Sequence, residues 1–529
     1  MLYTPSYQKL EQQYPDTCYE CQSNDDVYNQ KSCSVHKSEP PTEECPLTKE
    51  RSDKCTDCRC SRSGFGIICC CFFILSIAIT TALILQLSYG NSIPPGKTAH
   101  GAVATDYTNC SQIGTKILRK GGNAIDAAVA ATVCMTVVAP HKTGIGGGGY
   151  IMIYSQIGPK TQLVVDFVNN TIEGQFGKAN TRIPAVLKAL ELVQSLRGNL
   201  AWQEVIEPSV SLARTGFIAS RELAYELSKH SDYEKKFHPV NGGEIYQRPI
   251  LANTLELVGQ HGADVLYNGS LSSEIVSKIG TDQKLLRDLA SYEPQVIAAK
   301  ETSLFDHTIL YPPHANLVEF TLKELEKLHI QKENATTIES QIQVAEALVH
   351  ANLISQHPII TRQKYAGVVA MDWQGTYVSI VTGLNSPLNV SLKTDAGFFL
   401  DTIDQRDGLI NLTPVLFHDD VPNCGLSGSF NSDDPAVIGQ ILYNYLAVGF
   451  NLSTTIEYPR YYLLPDGVAI ENDSSYSIDM AVLNQLKSSR PPSAVDPNSI
   501  MKSINMIIER RNKISSHSDS RGGGLSSRY

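Results

Sequence analysis

The sequence predicts an α/β or α+β sandwich carried behind one membrane-spanning helix. Three observations predict it. The chain has 529 residues, 42% of them hydrophobic and 19% charged, which is enough to bury a large core. Near the N-terminus, Phe65 to Tyr89 reads FGIICCCFFILSIAITTALILQLSY and carries no charge. Beyond that stretch, apolar positions recur at helical spacing and in short β-runs, with no internal repeat. The net charge of −10 and the lack of a basic stripe interleaved with aromatics argue against a nucleic-acid partner.

Residues 1–64 are polar, rich in Ser, Asp, Glu and Lys, and show no apolar period. They read as a disordered cytosolic tail, because such a composition cannot offset its ordering entropy by burial. The tail holds Cys18-x-x-Cys21 and Cys55-x-x-Cys58-x-Cys60, with Cys33, His36 and Cys45 between them. That spacing can hold zinc; reduced, unliganded thiols are the alternative. Cys69, Cys70 and Cys71 suit S-acylation at a membrane boundary, or simple packing against lipid.

About 20 apolar residues cross a bilayer as a helix, so 65–89 is expected to span one. The long polar stretch before it argues against a cleaved signal peptide, and a buried core helix is the remaining alternative. Lys54, Arg59 and Arg62 precede the segment, whereas only Lys97 follows closely. The positive-inside rule then places the N-terminus in the cytosol. The expectation is a single-pass type II membrane protein with its C-terminal domain extracellular or lumenal. N-x-S/T sequons open at Asn109, Asn169, Asn268, Asn334, Asn389, Asn411, Asn451 and Asn472, all on the far side of the segment. Only Cys110, Cys134 and Cys424 follow Cys71, which fits a large core that needs few staples.

The ectodomain is expected from residue 97 onward. Thr108–Lys120 has helical spacing at Ile113, Ile117 and Leu118, and Gly121-Gly122-Asn123 breaks it. Ala124–Val138 is apolar nearly all round and reads as a buried helix. Tyr150–Tyr154 and Leu163–Phe167 read as strands. Ile183–Leu196, Ala201–Thr215 and Leu251–Gln260 read as amphipathic helices. Short β-runs follow at Ala366–Met371 and Thr376–Val381, then a helix at Ala436–Leu446. Between the buried helix and the first strand lies Gly146–Gly149. Such a run can cradle phosphate, form a tight turn, or let backbones approach. The helix stands on the wrong side for a phosphate loop and no Gly-Lys-Ser/Thr follows, so a tight turn admitting a strand to a central sheet is expected.

Several motifs now meet in one order. His100–Tyr154 contains GAVA, a cysteine, GGNA-DAA-AA, a second cysteine and an H-x-x-GIGGGG run. Ile183–Phe217 keeps a W-x-x-x-x-x-P-x-x-x-L-A-x-x-G-F framework. LANTLELVGQHGADVLYNGSL, Asp288–Tyr292, EYPRYYLLPDG and DSRGGG follow. Together they make the region 97–529 resemble the γ-glutamyltransferase (glutathione hydrolase) family. The resemblance implies an N-terminal-nucleophile hydrolase fold, an αββα sandwich of α+β class, after an N-terminal transmembrane helix. It implies a Cys110–Cys134 disulfide, no cofactor or metal, and glutathione or other γ-glutamyl compounds as ligands. It also implies a large-subunit-like part, 97–362, and a small-subunit-like part, 363–529. In most members the freed N-terminal Thr of the small subunit attacks the γ-glutamyl amide, with its own α-amino group as base.

The catalytic positions depart from the pattern. The family's Thr lies in GGT-x-H-x-S-V; counting back from Ala366–Ala370 puts Gln363 at the Thr. Thr361 is the nearest hydroxyl and lacks the preceding glycines. The segment before it, Ala335–Arg362, is short for self-cleavage. The family's carboxylate-binding Arg falls at Val168. The acidic N-N-E-M-D-D motif becomes Asp401–Arg406, so Ile403 takes the Glu and Arg406 the last Asp; Asp401 and Asp404 are the acids left to act instead. P-L-S-S-M becomes Gly408–Leu412, without either serine, and the oxyanion glycine pair becomes Gly428-Ser429. Asn385 matches the Asn that helps to bind the substrate amine. Two readings follow: a divergent γ-glutamyl hydrolase or transferase, and an intact, inactive membrane glycoprotein that uses the fold to bind or assemble. The losses favour the second.

Overall fold

The structure, a computed structural model, describes residues 71–81, 100–155, 161–168, 181–229, 240–279, 283–355, 365–385, 392–401, 411–419, 425–471, 476–496 and 500–529. The chain divides into two compact units, Met1–Tyr89 and Gly90–Tyr529. In the first unit residues 71–81 are described; they are helical and exposed. Among the described residues no helix is long and apolar enough to cross a membrane. The rest of the expected 65–89 span and the tail cysteines lie outside the described residues.

Strand Tyr365–Asp372 shows how the second unit is layered. Its side chains alternate, as a strand's must. Ala366, Val368 and Ala370 face a core shared with helices, whereas Tyr365, Val369 and Met371 face a core between two sheets. Strand Thr413–His418 does the same from the other sheet. Its Leu416 faces the inter-sheet core and Val415 and Phe417 face a second helical core. The result is four layers: helices, sheet, sheet, helices. Both central sheets are therefore covered on both faces.

Among the described residues the first sheet has seven antiparallel strands. Their order is Ser527–Arg528, Gly101–Thr105, Tyr365–Asp372, Thr376–Gly383, Gly148–Ser155, Thr161–Asp166, Gln295–Ala298. The second has six, in the order Lys513–Ser518, Asn505–Arg510, Leu426–Ser432, Thr413–His418, His307–Tyr311, Lys300–Leu304. Strands from the early and late parts of the chain are interleaved in the first sheet, so neither part can complete it alone.

Helix Ala124–Val138 lies under the first sheet with all of its residues buried. Its small side chains allow the sheet to approach. Asn123 and Asp126 form a capping box at its start. The Ala124 N–H donates to Asp372 Oδ2 at 3.0 Å, which ties the helix to the central strand. Asp126 Oδ2 also accepts the Asn199 N–H at 2.8 Å. The disulfide Cys110–Cys134 is present, with a Cα–Cα distance of 5.4 Å, and joins this helix to Thr108–Arg119. Cys424 lies outside the described residues.

The expected helices and strands of the first sheet and its cover are found with small changes. The helix expected from Ile183 begins at Val186, just after Pro184. The helix expected over Ala436–Leu446 is α-helical only to Leu442 and continues as a π turn, Tyr443–Ala447. The strands of the second sheet were not assigned from sequence.

Candidate active site

The site is built on one end of the first sheet. Tyr365, Gly383 and Gly148 stand in register across three adjacent strands. The segment expected to carry the nucleophile enters the sheet here, immediately before Tyr365. Gln363 and Thr361 themselves lie outside the described residues, as does Asp404.

The glycine run forms the rim of this end. A turn closes with the Gly147 N–H donating to the Gly144 carbonyl at 3.0 Å. After it, backbones approach too closely for any side chain. A Cβ on Gly146 would lie 2.1 Å from the Phe399 carbonyl oxygen. On Gly147 it would lie 2.2 Å from that of Gly383, and on Gly149 2.0 Å from that of Val381. None of the three has a positive φ. The glycines are thus required by close approach of neighbouring strands, not by a left-handed backbone.

Asn385 sits just past the end of its strand and is buried. Its N–H donates to Asp401 Oδ2 at 3.0 Å. Asp401 is fully buried, and so is the arginine beside it. Arg182 Nε lies 3.4 Å from Asp401 Oδ2. The Arg182 N–H donates to the Asp401 carbonyl at 3.0 Å. Arg182 Nη1 donates to the Val168 carbonyl at 2.6 Å. Val168 is itself buried in the inter-sheet core. Three predicted positions, Val168, Asn385 and Asp401, are therefore gathered by one residue that sequence reasoning missed. The available signal was an arginine set against the apolar run Ile183–Leu187, where an unpaired charge would be costly.

A second buried charge was missed. Lys142 precedes the glycine turn and its carbonyl accepts the Leu384 N–H at 3.3 Å. Its Nζ lies 3.3 Å from Glu222 Oε2 and 3.8 Å from Asp106 Oδ2. Burial works against the ammonium, but Asp106 and Glu222 outweigh it and hold its pKa above the usual lysine value. His141 Nε2 lies 3.4 Å from the same Glu222 oxygen. Burial dominates there and pushes the imidazole pKa down, against the opposing pull of Glu222. Burial would raise Glu222, yet His141 and Lys142 keep it well below the ordinary carboxylate range.

Beneath the strand end, the Tyr365 hydroxyl donates to the Ser503 carbonyl at 3.1 Å. Ser503 Oγ and Asn505 Nδ2 donate to Asp106 Oδ1 at 2.8 and 2.6 Å. Burial raises the Tyr365 phenol far above its normal pKa, so it is a neutral donor and no nucleophile. Gly428 and Ser429 lie inside strand Leu426–Ser432, paired on both sides. Ser429 Oγ donates to the Val415 carbonyl at 3.0 Å. A Cβ on Gly428 would meet Phe417 at 2.3 Å, so this glycine makes room for a ring.

Of the sequon asparagines, Asn109, Asn268, Asn334 and Asn451 are exposed and Asn411 is half-buried. Asn169, Asn389 and Asn472 lie outside the described residues.

A family profile described as Gamma-glutamyltranspeptidase matches residues 110–357. Glutathione hydrolase 7 of Mus musculus is 30% identical over 259 residues, covering 44% of this chain and 38% of its own. Glutathione hydrolase 2 of Arabidopsis thaliana is 33% identical over 240 residues, covering 40% of this chain and 41% of its own. The matched stretch thus spans about two-fifths of these relatives' length. The cephalosporin acylase of Bacillus halodurans shares the fold, with a TM-score of 0.62 at 15% identity, over 82% of this chain and 96% of its own.

Proposed function

We propose, from the match of residues 110–357 to the gamma-glutamyltranspeptidase family, a single-pass type II membrane glycoprotein that keeps the family's fold but neither cuts itself nor turns over glutathione-like γ-glutamyl compounds. The membrane span is the uncharged stretch 65–89. The glycans sit on the exposed sequons, Asn109, Asn268, Asn334 and Asn451.

The buried Arg182–Asp401 pair carries this reading. A γ-glutamyl donor presents an α-ammonium and an α-carboxylate. The ammonium needs an acid that is not already neutralised, and Asp401 faces a guanidinium 3.4 Å away. The carboxylate needs a cation where Val168 stands. A charged hydrogen bond contributes about 1.5–3 kcal/mol, so losing both partners weakens binding by roughly 10²–10⁴-fold. The Gln363 amide offers neither a hydroxyl nor an activated nitrogen for acyl transfer. Without the nucleophile, what remains in a hydrolase is on the order of 10³–10⁴ over water, from binding and electrostatics alone.

The enzymatic reading keeps one observation in its favour. Asn385, Gly383 and the glycine rim are all in place beside the strand end. Release of p-nitroaniline from a γ-glutamyl anilide separates the two. The parent and Thr361→Ala should both be silent, and the purified chain should run as one band. Turnover by the parent that Thr361→Ala abolishes, or two bands on a gel, would establish the enzyme instead.

A further inference from the structure

The helical layer over the six-stranded sheet holds a cavity that none of the residues above lines. It encloses about 520 Å3 including its mouth. Four rings wall it: Tyr443, Phe450, Tyr458 and Tyr461. Val344 and Val482, both buried, lie between them. No lining residue carries a charge.

A backbone irregularity makes the space. Helix Pro435–Leu442 passes into the π turn Tyr443–Ala447, in which the Val448 N–H donates to the Tyr443 carbonyl at 3.0 Å. The surplus residue brings Tyr443, Asn444 and Val448 onto one wall. Gly449, at φ 78°, then reverses the chain, and the Phe450 N–H donates to the Asn444 carbonyl at 3.0 Å. Such single π turns inside α-helices are rare and are frequent at functional sites.

The polar groups around the cavity divide into two sets. Gln440 is committed to the wall: Nε2 donates to the Ala436 and Tyr461 carbonyls and Oε1 accepts the Tyr461 N–H. Gln341 Nε2 donates to the Thr336 carbonyl, Tyr443 to that of Ala335, and Tyr458 to that of Ser477. The Tyr461 hydroxyl and the Asn444 side-chain amide make no hydrogen bond among the described residues, although Tyr461 is only 6% exposed. The hydroxyl of Tyr461, a residue lining the cavity, is thus left with its donor uncommitted.

We propose that this cavity binds a flat, uncharged aromatic compound bearing one hydroxyl or amide. Its ring lies among the four aromatic side chains, and its polar end is met by Tyr461 Oη and Asn444. Charged ligands are excluded because no counter-charge lines the space and burying an unpaired ion is prohibitive. The site is separate from the sheet end described above, since every lining residue belongs to the other helical layer or to the segments beside it.

Saturation-transfer NMR and calorimetry of the purified full-length chain with p-cresol test the proposal. A ligand of this size is expected to bind with Kd on the order of 0.1–1 mM. Benzoate should bind at least about tenfold more weakly. Val482→Trp fills the space and should weaken p-cresol at least about tenfold while the thermal midpoint stays near the parent's. Asn444→Leu should weaken p-cresol several-fold but leave toluene unchanged. Should Val482→Trp fail to fold, Val344→Phe and Asn444→Leu carry the same comparison. No binding of p-cresol to the parent, or binding undiminished by all of these substitutions, would overturn the proposal.

Discussion

Replacing Arg182 by methionine is the most informative single perturbation. Arg182 and Asp401 are both fully buried, and the guanidinium spans Asp401 Oδ2 at 3.4 Å and the Val168 carbonyl at 2.6 Å. Methionine fills most of the volume but takes the guanidinium away from a buried carboxylate. Removing one partner of a buried pair costs about 3–5 kcal/mol, whereas replacing both by apolar groups is close to neutral. Arg182→Met should therefore lose about 3–5 kcal/mol, Asp401→Leu a similar amount, and the double variant no more than about 1–2 kcal/mol. Unfolding entropy scales at ~2.1 cal/mol/K per residue, which gives about 0.9 kcal/mol/K for the Gly90–Tyr529 unit. The single variants should then melt roughly 3–5 °C lower, and the double within about 2 °C of the parent. Urea unfolding of the parent, both single variants and the double supplies the cycle. Additive losses, or a single variant within about 0.5 kcal/mol of the parent, would refute the claim that the two buried charges stabilise each other.

Asp434 gives a pH signature. Burial first, and Asp433 with it, push its carboxyl up to about 6, against an opposing Lys502. Its folded pKa exceeds the unfolded 3.8, so its contribution is fully present below pH 4 and is lost as pH rises towards 6. Asp434→Asn keeps the Oδ1 bonds to the Ala436 and Val437 N–H groups, so it should stabilise the fold at pH 7.5 by about 2–3 kcal/mol and not at pH 3.5. Denaturation of parent and variant across that range measures the difference. Cys134→Ala opens a loop with a sequence separation of 24 and should cost about 3–4 kcal/mol in urea, reproduced in the parent by a reductant. The glycine rim predicts a contrast: Gly149→Ala drives a methyl to 2.0 Å from the Val381 carbonyl and should yield no soluble protein. Gly144→Ala meets only Leu384 at 3.7 Å and should express normally.

Periodicity was enough for elements whose burial is one-sided or total. The Ala124–Val138 helix is apolar nearly all round because every residue is buried, and the break at Gly121-Gly122-Asn123 marks where it starts. Strands such as Tyr365–Asp372 read as continuous apolar runs because both faces are covered. The second sheet was opaque for the opposite reason. Strand Leu426–Ser432 reads LSGSFNS, yet Ser429 Oγ donates to the Val415 carbonyl of the neighbouring strand and Asn431 Nδ2 to Ser379 Oγ of the other sheet. Nothing local announces that a serine will be buried.

The sequence by itself carried the resemblance to a family, and with it the α+β sandwich class and the Cys110–Cys134 disulfide, because motif order and residue identity are local. Only the tertiary structure decided which residues meet. Arg182 lies far from Asp401 in the chain, yet the two meet because strands from early and late segments share one sheet. The glycine run is needed because neighbouring backbones reach 2.0 to 2.2 Å from where its side chains would stand. The aromatic cavity is lined by residues from several segments, among them the π turn and the loop after it, that meet only in the fold. Charge pairing, close approach and cavity shape are distances between segments, and distance is set by folding.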